Sequence, residues 1–100
     1  MKLTYPTLFT KLKGGKCLVE VPDLKILTEG KDLYDAIEMA EDAIGLKCIV
    51  LEDEKIDIPV PSKYSVIDIS KGTFSSEGKT FVSLVNIDTS EYRKNIIPIF

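Results

Sequence analysis

Histidine and tryptophan are absent from this 100-residue sequence, and cysteine occurs only twice, at Cys17 and Cys48. The lack of histidine excludes the Ser-His-Asp and Cys-His catalytic arrangements and removes the commonest general base. Two cysteines without histidine fall short of the four ligands of a standard zinc site. We therefore expect no resident metal or cofactor, and we interpret both cysteines as small, buried side chains.

Long apolar runs are also missing. No run approaches the roughly 20 residues that a membrane-spanning helix needs, and the N-terminal stretch MKLTYPTLFT lacks the continuous apolar segment of a signal peptide. These absences predict a cytoplasmic protein without membrane association. The length predicts a single domain over residues 1–100, and a composition that is 44% hydrophobic and 29% charged is that of an ordinary globular protein.

Acidic residues concentrate in the middle of the chain. Residues 20–57 contain twelve acids and four bases, a net charge of −8, whereas the rest contains four acids and nine bases, a net charge of +5. A solvated helix face with acidic flanks explains such a run most simply. The alternative is a surface that attracts a basic partner. The overall charge of −3 argues against nucleic acid as the main partner.

Four segments have strand-like patterns, and two turns connect the first three. The segments are residues 2–10, 16–21, about 24–29 and 80–88. Pro6 predicts that the first strand is an edge strand or carries a bulge, because proline cannot donate to a ladder. Gly14-Gly15 is typical of a hairpin turn. Pro22-Asp23 predicts a second tight turn, in which Asp23 bonds nearby backbone amides.

One long helix is predicted between the third and fourth strands. Its apolar positions recur at spacings of three and four: Leu33, Ala36, Ile37, Ala40, Ala43, Ile44, Cys48 and Leu51. Asp32 is the expected N-cap, and Gly45 is a weak point at which the last turns could bend. The order β-β-β-α-β predicts an α+β fold, in which a small antiparallel sheet carries one main helix on one face.

A single helix leaves the other face of the sheet uncovered. Five apolar residues can lie on that face: Leu8, Leu18, Leu27, Val82 and Leu84. We expect the segment 62–76, a second subunit or a partner to cover it. Oligomer contacts are predicted for Tyr92, after the last strand, and for the apolar tail that contains Ile96, Ile97, Ile99 and Phe100.

An ordered set of motifs resembles the HicB antitoxin family along nearly the whole chain. The motifs are Tyr5-Pro6, VPDL at 21–24, TEG at 28–30, a helix with Ala36 and Ala40, IPVPS at 58–62, and LVNID at 84–88 followed by EYR at 91–93. Pro22, Asp23, Gly30, Ala36 and Ala40 are the structural positions of this pattern. The sequence departs from it at Lys25-Ile26-Leu27, because the glycine that the family usually has after the start of the third strand is missing.

The resemblance implies an antitoxin of a type II toxin-antitoxin system. HicB N-terminal domains have a partial RNase H-like fold and bind HicA, a small basic toxin that cleaves mRNA. Relatives commonly form homodimers or higher oligomers, and most carry a C-terminal ribbon-helix-helix or helix-turn-helix module that binds DNA. Only six residues follow Lys94 in this sequence, so we expect no such module and no direct DNA binding by this chain.

The acidic segment supplies the predicted toxin-binding residues. These are the carboxylates near the end of the helix: Glu52, Asp53, Glu54 and Asp57. They would attract a basic toxin and speed its encounter. Occlusion of a toxin needs no catalytic group, so we expect a protein that is not an enzyme.

Two other functions are compatible with the residues. A nuclease would need three or four clustered carboxylates for two metal ions, and Glu20, Asp23, Glu29 and Asp88 are the candidates. Nothing in their spacing forces them together, and an aspartate in a turn has its own structural use. The other alternative is a stand-alone domain that oligomerises or binds proteins without a toxin partner, through its apolar tail and an edge strand.

Overall fold

The computed structural model describes residues 1–96 and confirms the predicted α+β order. Its strands and helices are β1 (Lys2–Lys11), β2 (Cys17–Val21), β3 (Ile26–Gly30), α1 (Leu33–Asp53), β4 (Lys79–Asp88) and α2 (Thr89–Ile96). The sheet is antiparallel, with the strand order β3-β2-β1-β4. The predicted contacts of Ile97, Ile99 and Phe100 lie outside the described residues, as does the side chain of Ile96.

The prediction that Pro6 marks an edge strand or a bulge was wrong. β1 is a central strand, and its register with β4 runs unbroken from Lys2 opposite Asp88 to Lys11 opposite Lys79. The strand tolerates Pro6 because β2 pairs only with residues 8–11 of β1. Pro6 therefore lies where β1 has no strand partner on the β2 side.

The same proline shows which backbone groups of β4 point outward. In an antiparallel pair, residues that exchange hydrogen bonds alternate with residues that do not. Thr89 donates its N–H to Met1 O at 2.9 Å, so in this register the odd-numbered residues of β4 bond to β1. Pro6, which has no N–H, lies opposite Leu84. The even-numbered residues of β4 therefore direct their N–H and C=O groups to the free edge of the sheet.

The turn after β2 uses Asp23 differently from the prediction. Pro22–Leu24 forms a 3₁₀ turn, and the Asp23 carboxylate accepts hydrogen bonds from Ser62 N at 2.7 Å and Ser62 Oγ at 2.6 Å. Asp23 thus holds a segment 39 residues away instead of its own turn. Lys25, which ends this turn, has a φ of 54°, a conformation that glycine adopts without steric cost.

The ends of α1 follow local rules. Asp32 accepts a hydrogen bond from Asp35 N at 2.8 Å, which confirms the predicted N-cap. At the other end, Ile56 N donates to Leu51 O and Lys55 N donates to Glu52 O, the two bonds of a Schellman motif. Lys55 occupies the left-handed position of this motif, with a φ of 59°.

Residues from α1 and one face of the sheet form the hydrophobic core. Ala36 and Ala40 are fully buried. A Cβ on Gly30 would overlap the backbone of Ala36, so these small residues let α1 pack closely on the end of β3. Cys17 and Cys48 are buried and free, as predicted.

The segment between α1 and β4 covers part of the second face of the sheet. Leu8 and Leu18 are buried on this face, and Gly72 of the segment lies against Leu8. This confirms the segment 62–76 as a cover for that part of the face. Leu27 and Leu84 remain 55% and 53% exposed, so the cover is incomplete.

Within residues 1–96, no helix combines the length and the apolar character that a membrane span requires.

Candidate protein-binding site

The predicted acidic site at the end of α1 divides into two parts. Arg93 of α2 donates from Nη2 to Asp53 Oδ1 at 2.8 Å and to Glu52 Oε1 at 3.1 Å. The hydrogen bonds that Arg93 donates to Asp53 and Glu52 raise the pKa of its guanidinium. Glu52 also accepts a hydrogen bond from Thr89 Oγ1 at 3.2 Å. Glu52 and Asp53 therefore hold α2 on α1, which is a role that the sequence did not reveal.

Glu54 and Asp57 form the other part of the predicted site. Both are exposed, and neither forms an ion pair with another described residue. They lie just after α1, next to the Schellman turn at Lys55. These two carboxylates retain the accessible charge that was predicted for all four.

Tyr92 and Gly45 form a second contact between the two helices. A Cβ on Gly45 would lie 2.7 Å from Cε1 of Tyr92, a separation that forces atoms to shift. Gly45 is therefore a packing residue, and α1 continues through it as one helix from Leu33 to Asp53. The Tyr92 hydroxyl donates to Asp42 Oδ1 at 2.8 Å. Burial and this hydrogen bond raise the pKa of Tyr92 to about 12.

A groove of about 480 Å³ lies between α1, α2 and the end of β4. Five carboxylates line it: Glu38, Glu41, Asp42, Asp88 and Glu91. The other lining residues are Asn86, Ile87, Tyr92 and Asn95, none of which is basic. Hereafter this is the acidic groove. The groove was missed in the sequence because its acids come from three elements that only the fold brings together.

Two positive groups lie near the acidic groove. Lys94 Nζ is 3.2 Å from Glu91 Oε1, and the amino group of Met1 is 3.8 Å from Asp88 Oδ1. The Lys94 and Glu91 side chains are 70% and 63% exposed, and a pair of that kind contributes little to stability. These two groups offset only part of the charge of five carboxylates.

The four carboxylates of the nuclease hypothesis have separate structural contacts. Glu20 accepts hydrogen bonds from Thr73 N at 2.8 Å and Thr73 Oγ1 at 2.7 Å, which fasten the covering segment to β2. Glu29 pairs with Lys16 at 2.7 Å. Asp23 binds Ser62, and Asp88 accepts from Ser90 N. Within residues 1–96, no three acidic, cysteine or histidine side chains are grouped so as to hold a metal ion.

Two comparisons of the sequence find no match. No protein-family model matches the chain, and no curated protein is significantly similar to it.

Solved structures give a clear likeness. The chain superposes with a TM-score of 0.80 and 25% identity on a chain of a toxin-antitoxin complex from Streptococcus pneumoniae, covering 100% of this chain and 78% of that one. A chain of the HicA3 and HicB3 toxin-antitoxin complex matches with a TM-score of 0.64 and 24% identity over 86% of this chain and 99% of that one. The fold of this chain is therefore one that occurs in toxin-antitoxin complexes.

Proposed function

We propose that this chain is the antitoxin of a type II toxin-antitoxin system, and that it binds and occludes a small basic mRNA interferase of the HicA type. The observation that carries the proposal is the likeness, over the full chain, to a component of a toxin-antitoxin complex at a TM-score of 0.80. The HicB motif residues support the choice of antitoxin over toxin. Asp23, Gly30, Ala36 and Ala40 each have a structural use in this fold.

The chemistry of the surface fits a basic protein partner. An antitoxin of this kind acts by covering the toxin's active site, so it needs shape and charge complementarity and no catalytic group. The acidic groove and the exposed pair Glu54 and Asp57 supply negative charge on the surface. Exposed Leu84 supplies apolar area at the sheet edge.

Charge reversal can separate contact with the toxin from folding. Charge reversal at Glu52 or Asp53 would break the contacts of Arg93 and loosen α2. A loss of toxin binding in these variants could not be separated from a loss of folding. We propose Glu54→Lys and Asp57→Lys as the test, with Glu77→Lys as a control of equal charge change on an exposed turn. The proposal predicts weaker toxin binding for the first two variants, most clearly at low salt, and unchanged binding for the third.

The oligomeric state is a separate part of the proposal. We propose a homodimer or a higher oligomer in which residues 1–100 act as one toxin-binding domain. Tyr92 already packs on Gly45 and bonds Asp42 within the chain, so it would contribute to an oligomer by positioning α2. Light scattering after size-exclusion chromatography over a range of concentrations measures the state directly, and a monomer at every concentration would contradict it.

Capture from a native lysate tests the proposed partner. Tagged protein should retain a small, basic, histidine-containing protein, identified by mass spectrometry, that cleaves RNA when purified alone. Retention of nothing but the chain itself would instead favour a stand-alone oligomerising domain.

A further inference from the structure

β4 forms a free edge of the sheet and is the longer of its two edge strands. β4 has ten residues and is the last strand in the sheet order. The register and Pro6 place the N–H and C=O groups of its even-numbered residues on the free edge. Such an edge is a template for pairing with another strand.

The side chain of Tyr64 occupies part of this edge, and its hydrogen bond confirms which backbone groups of β4 point outward. The Tyr64 hydroxyl donates to Val82 O at 3.3 Å, and such a bond requires that this carbonyl point away from β1. Beyond Val82, Leu84 and Asn86 have no backbone partner at the edge among the described residues. The open part of the edge therefore begins at Leu84 and runs toward Asp88.

The surroundings of this open part differ on its two sides. The acidic groove adjoins residues 86–88 and brings carboxylates from α1 and α2 next to the strand. On the opposite face, the side chain of Leu84 is 53% exposed. An added strand would place alternate side chains on these two faces. One set would meet carboxylates, and the other would meet the exposed side chain of Leu84.

We infer that the edge from Leu84 to Asp88 binds an extended basic segment of the partner protein, which adds a fifth strand to the sheet. Basic residues at alternate positions face the acidic groove, and apolar residues between them pack beside Leu84. Main-chain hydrogen bonds to Leu84 and Asn86 provide affinity, and the side-chain alternation provides specificity. The identity of the partner as a toxin rests on the proposed function, whereas the binding mode does not.

A second copy of this chain fits the edge less well. β4 carries one lysine, Lys79, and one aspartate, Asp88, so a second β4 brings no net positive charge to five carboxylates. The whole chain has a net charge of −3, which adds repulsion between copies. Charge complementarity therefore favours a basic segment over self-pairing.

Amide hydrogen exchange followed by NMR tests the mode directly. The probe is an acetylated and amidated peptide, Lys-Val-Lys-Thr-Lys-Val-Lys-Thr, added to the full chain. We expect the amides of Leu84 and Asn86 to exchange fast in the free protein and to become protected with the peptide. The amides of Ser83 and Val85, which bond to β1, should be protected in both states. The same peptide with glutamate in place of lysine should protect none of them further.

A matched pair of variants separates the backbone contact from the side chain. Asn86→Pro removes an outward N–H without removing a backbone bond to β1, and Asn86→Thr keeps that N–H. Both variants lose the hydrogen bond that Thr4 Oγ1 donates to Asn86 Oδ1, so their comparison isolates the backbone group. Binding measured by fluorescence anisotropy should weaken about ten-fold for Asn86→Pro, the effect expected for a lost hydrogen bond, and less than about two-fold for Asn86→Thr. Equal affinities would overturn the inference. If Asn86→Pro does not fold, the exchange pattern of the unmodified chain decides.

The remaining outcomes separate this inference from the proposed function. Protection of Leu84 and Asn86 without peptide, rising with protein concentration, would overturn it in favour of self-pairing. A captured toxin that binds tightly while these two amides stay unprotected would also overturn it, and would leave the antitoxin proposal intact. Peptide binding in a chain that captures no toxin would support the binding mode and contradict the proposed partner.

Discussion

The effect of Gly45→Ala on the free energy of unfolding should change sign with the residue at position 92. In most exposed helices this substitution stabilises by about 1 kcal/mol, because glycine is the poorer helix former. Here the new Cβ would lie 2.7 Å from Cε1 of Tyr92, and overpacking of this kind costs about 1–3 kcal/mol. We therefore expect Gly45→Ala alone to be neutral or to lower the free energy of unfolding, by up to about 2 kcal/mol.

The double mutant isolates the steric contribution. In a Tyr92→Ala background the clash is gone, so Gly45→Ala should raise the free energy of unfolding by about 1 kcal/mol. The coupling between the two sites should then be about 1–3 kcal/mol. In a Tyr92→Phe background, which keeps the ring and loses only the hydroxyl, Gly45→Ala should have the same neutral or unfavourable effect as in the unmodified chain. Urea unfolding of the single and double variants measures these values, and stabilisation by Gly45→Ala in all three backgrounds would refute the packing argument.

Three further predictions concern the turn residues, the covering segment and pH. Lys55→Gly should raise the free energy of unfolding by about 1 kcal/mol, because Lys55 has a φ of 59°, whereas Lys47→Gly within α1 should lower it by about the same amount. Both are measured by urea unfolding. Ser62→Ala removes one of the two hydrogen bonds to Asp23 and should cost about 1 kcal/mol, with faster amide exchange confined to the segment after Pro61; faster exchange throughout the chain would contradict the local role. The pKa of Tyr92 is raised to about 12, from 10.0 in the free side chain. The stability that this shift contributes is fully present below about pH 10 and is lost as the pH rises toward 12. In thermal unfolding measured over this pH range, Tyr92→Phe should lose less stability than the unmodified chain. Some loss should remain, because burial also raises the pKa of Tyr5.

Local patterns were sufficient to predict most of the fold. The spacing of the apolar residues predicted α1. Asp32 predicted where the helix begins, because capping depends only on neighbours in sequence. Gly14 and Gly15 predicted the hairpin, because glycine readily adopts the positive φ that such turns need. Their φ angles in the structure are 93° and 103°. Each of these features is decided within a few residues of chain.

Long-range contacts account for what was predicted wrongly. Pro6 suggested an edge strand because the sequence does not show that β2 stops pairing at residue 8 of β1. The packing role of Gly45 was not predicted, because its partner, Tyr92, lies 47 positions later in the chain. The predicted site was divided for the same reason, since Arg93 binds Glu52 and Asp53 across about 40 residues.

The acidic groove shows the same limit for function. The net charge of −8 over residues 20–57 indicated a basic partner, yet two of the five carboxylates of the groove, Asp88 and Glu91, come from outside that segment. The sequence could predict the sign of the surface, and only the fold could place it beside an open strand edge.

Inhibition of RNA cleavage tests the central claim most directly. The measurement is the rate at which the captured basic protein cleaves RNA, titrated with increasing amounts of this chain. The antitoxin account predicts that cleavage falls in proportion to the added chain and reaches zero in excess. Unchanged cleavage in the presence of excess, correctly folded chain would contradict it.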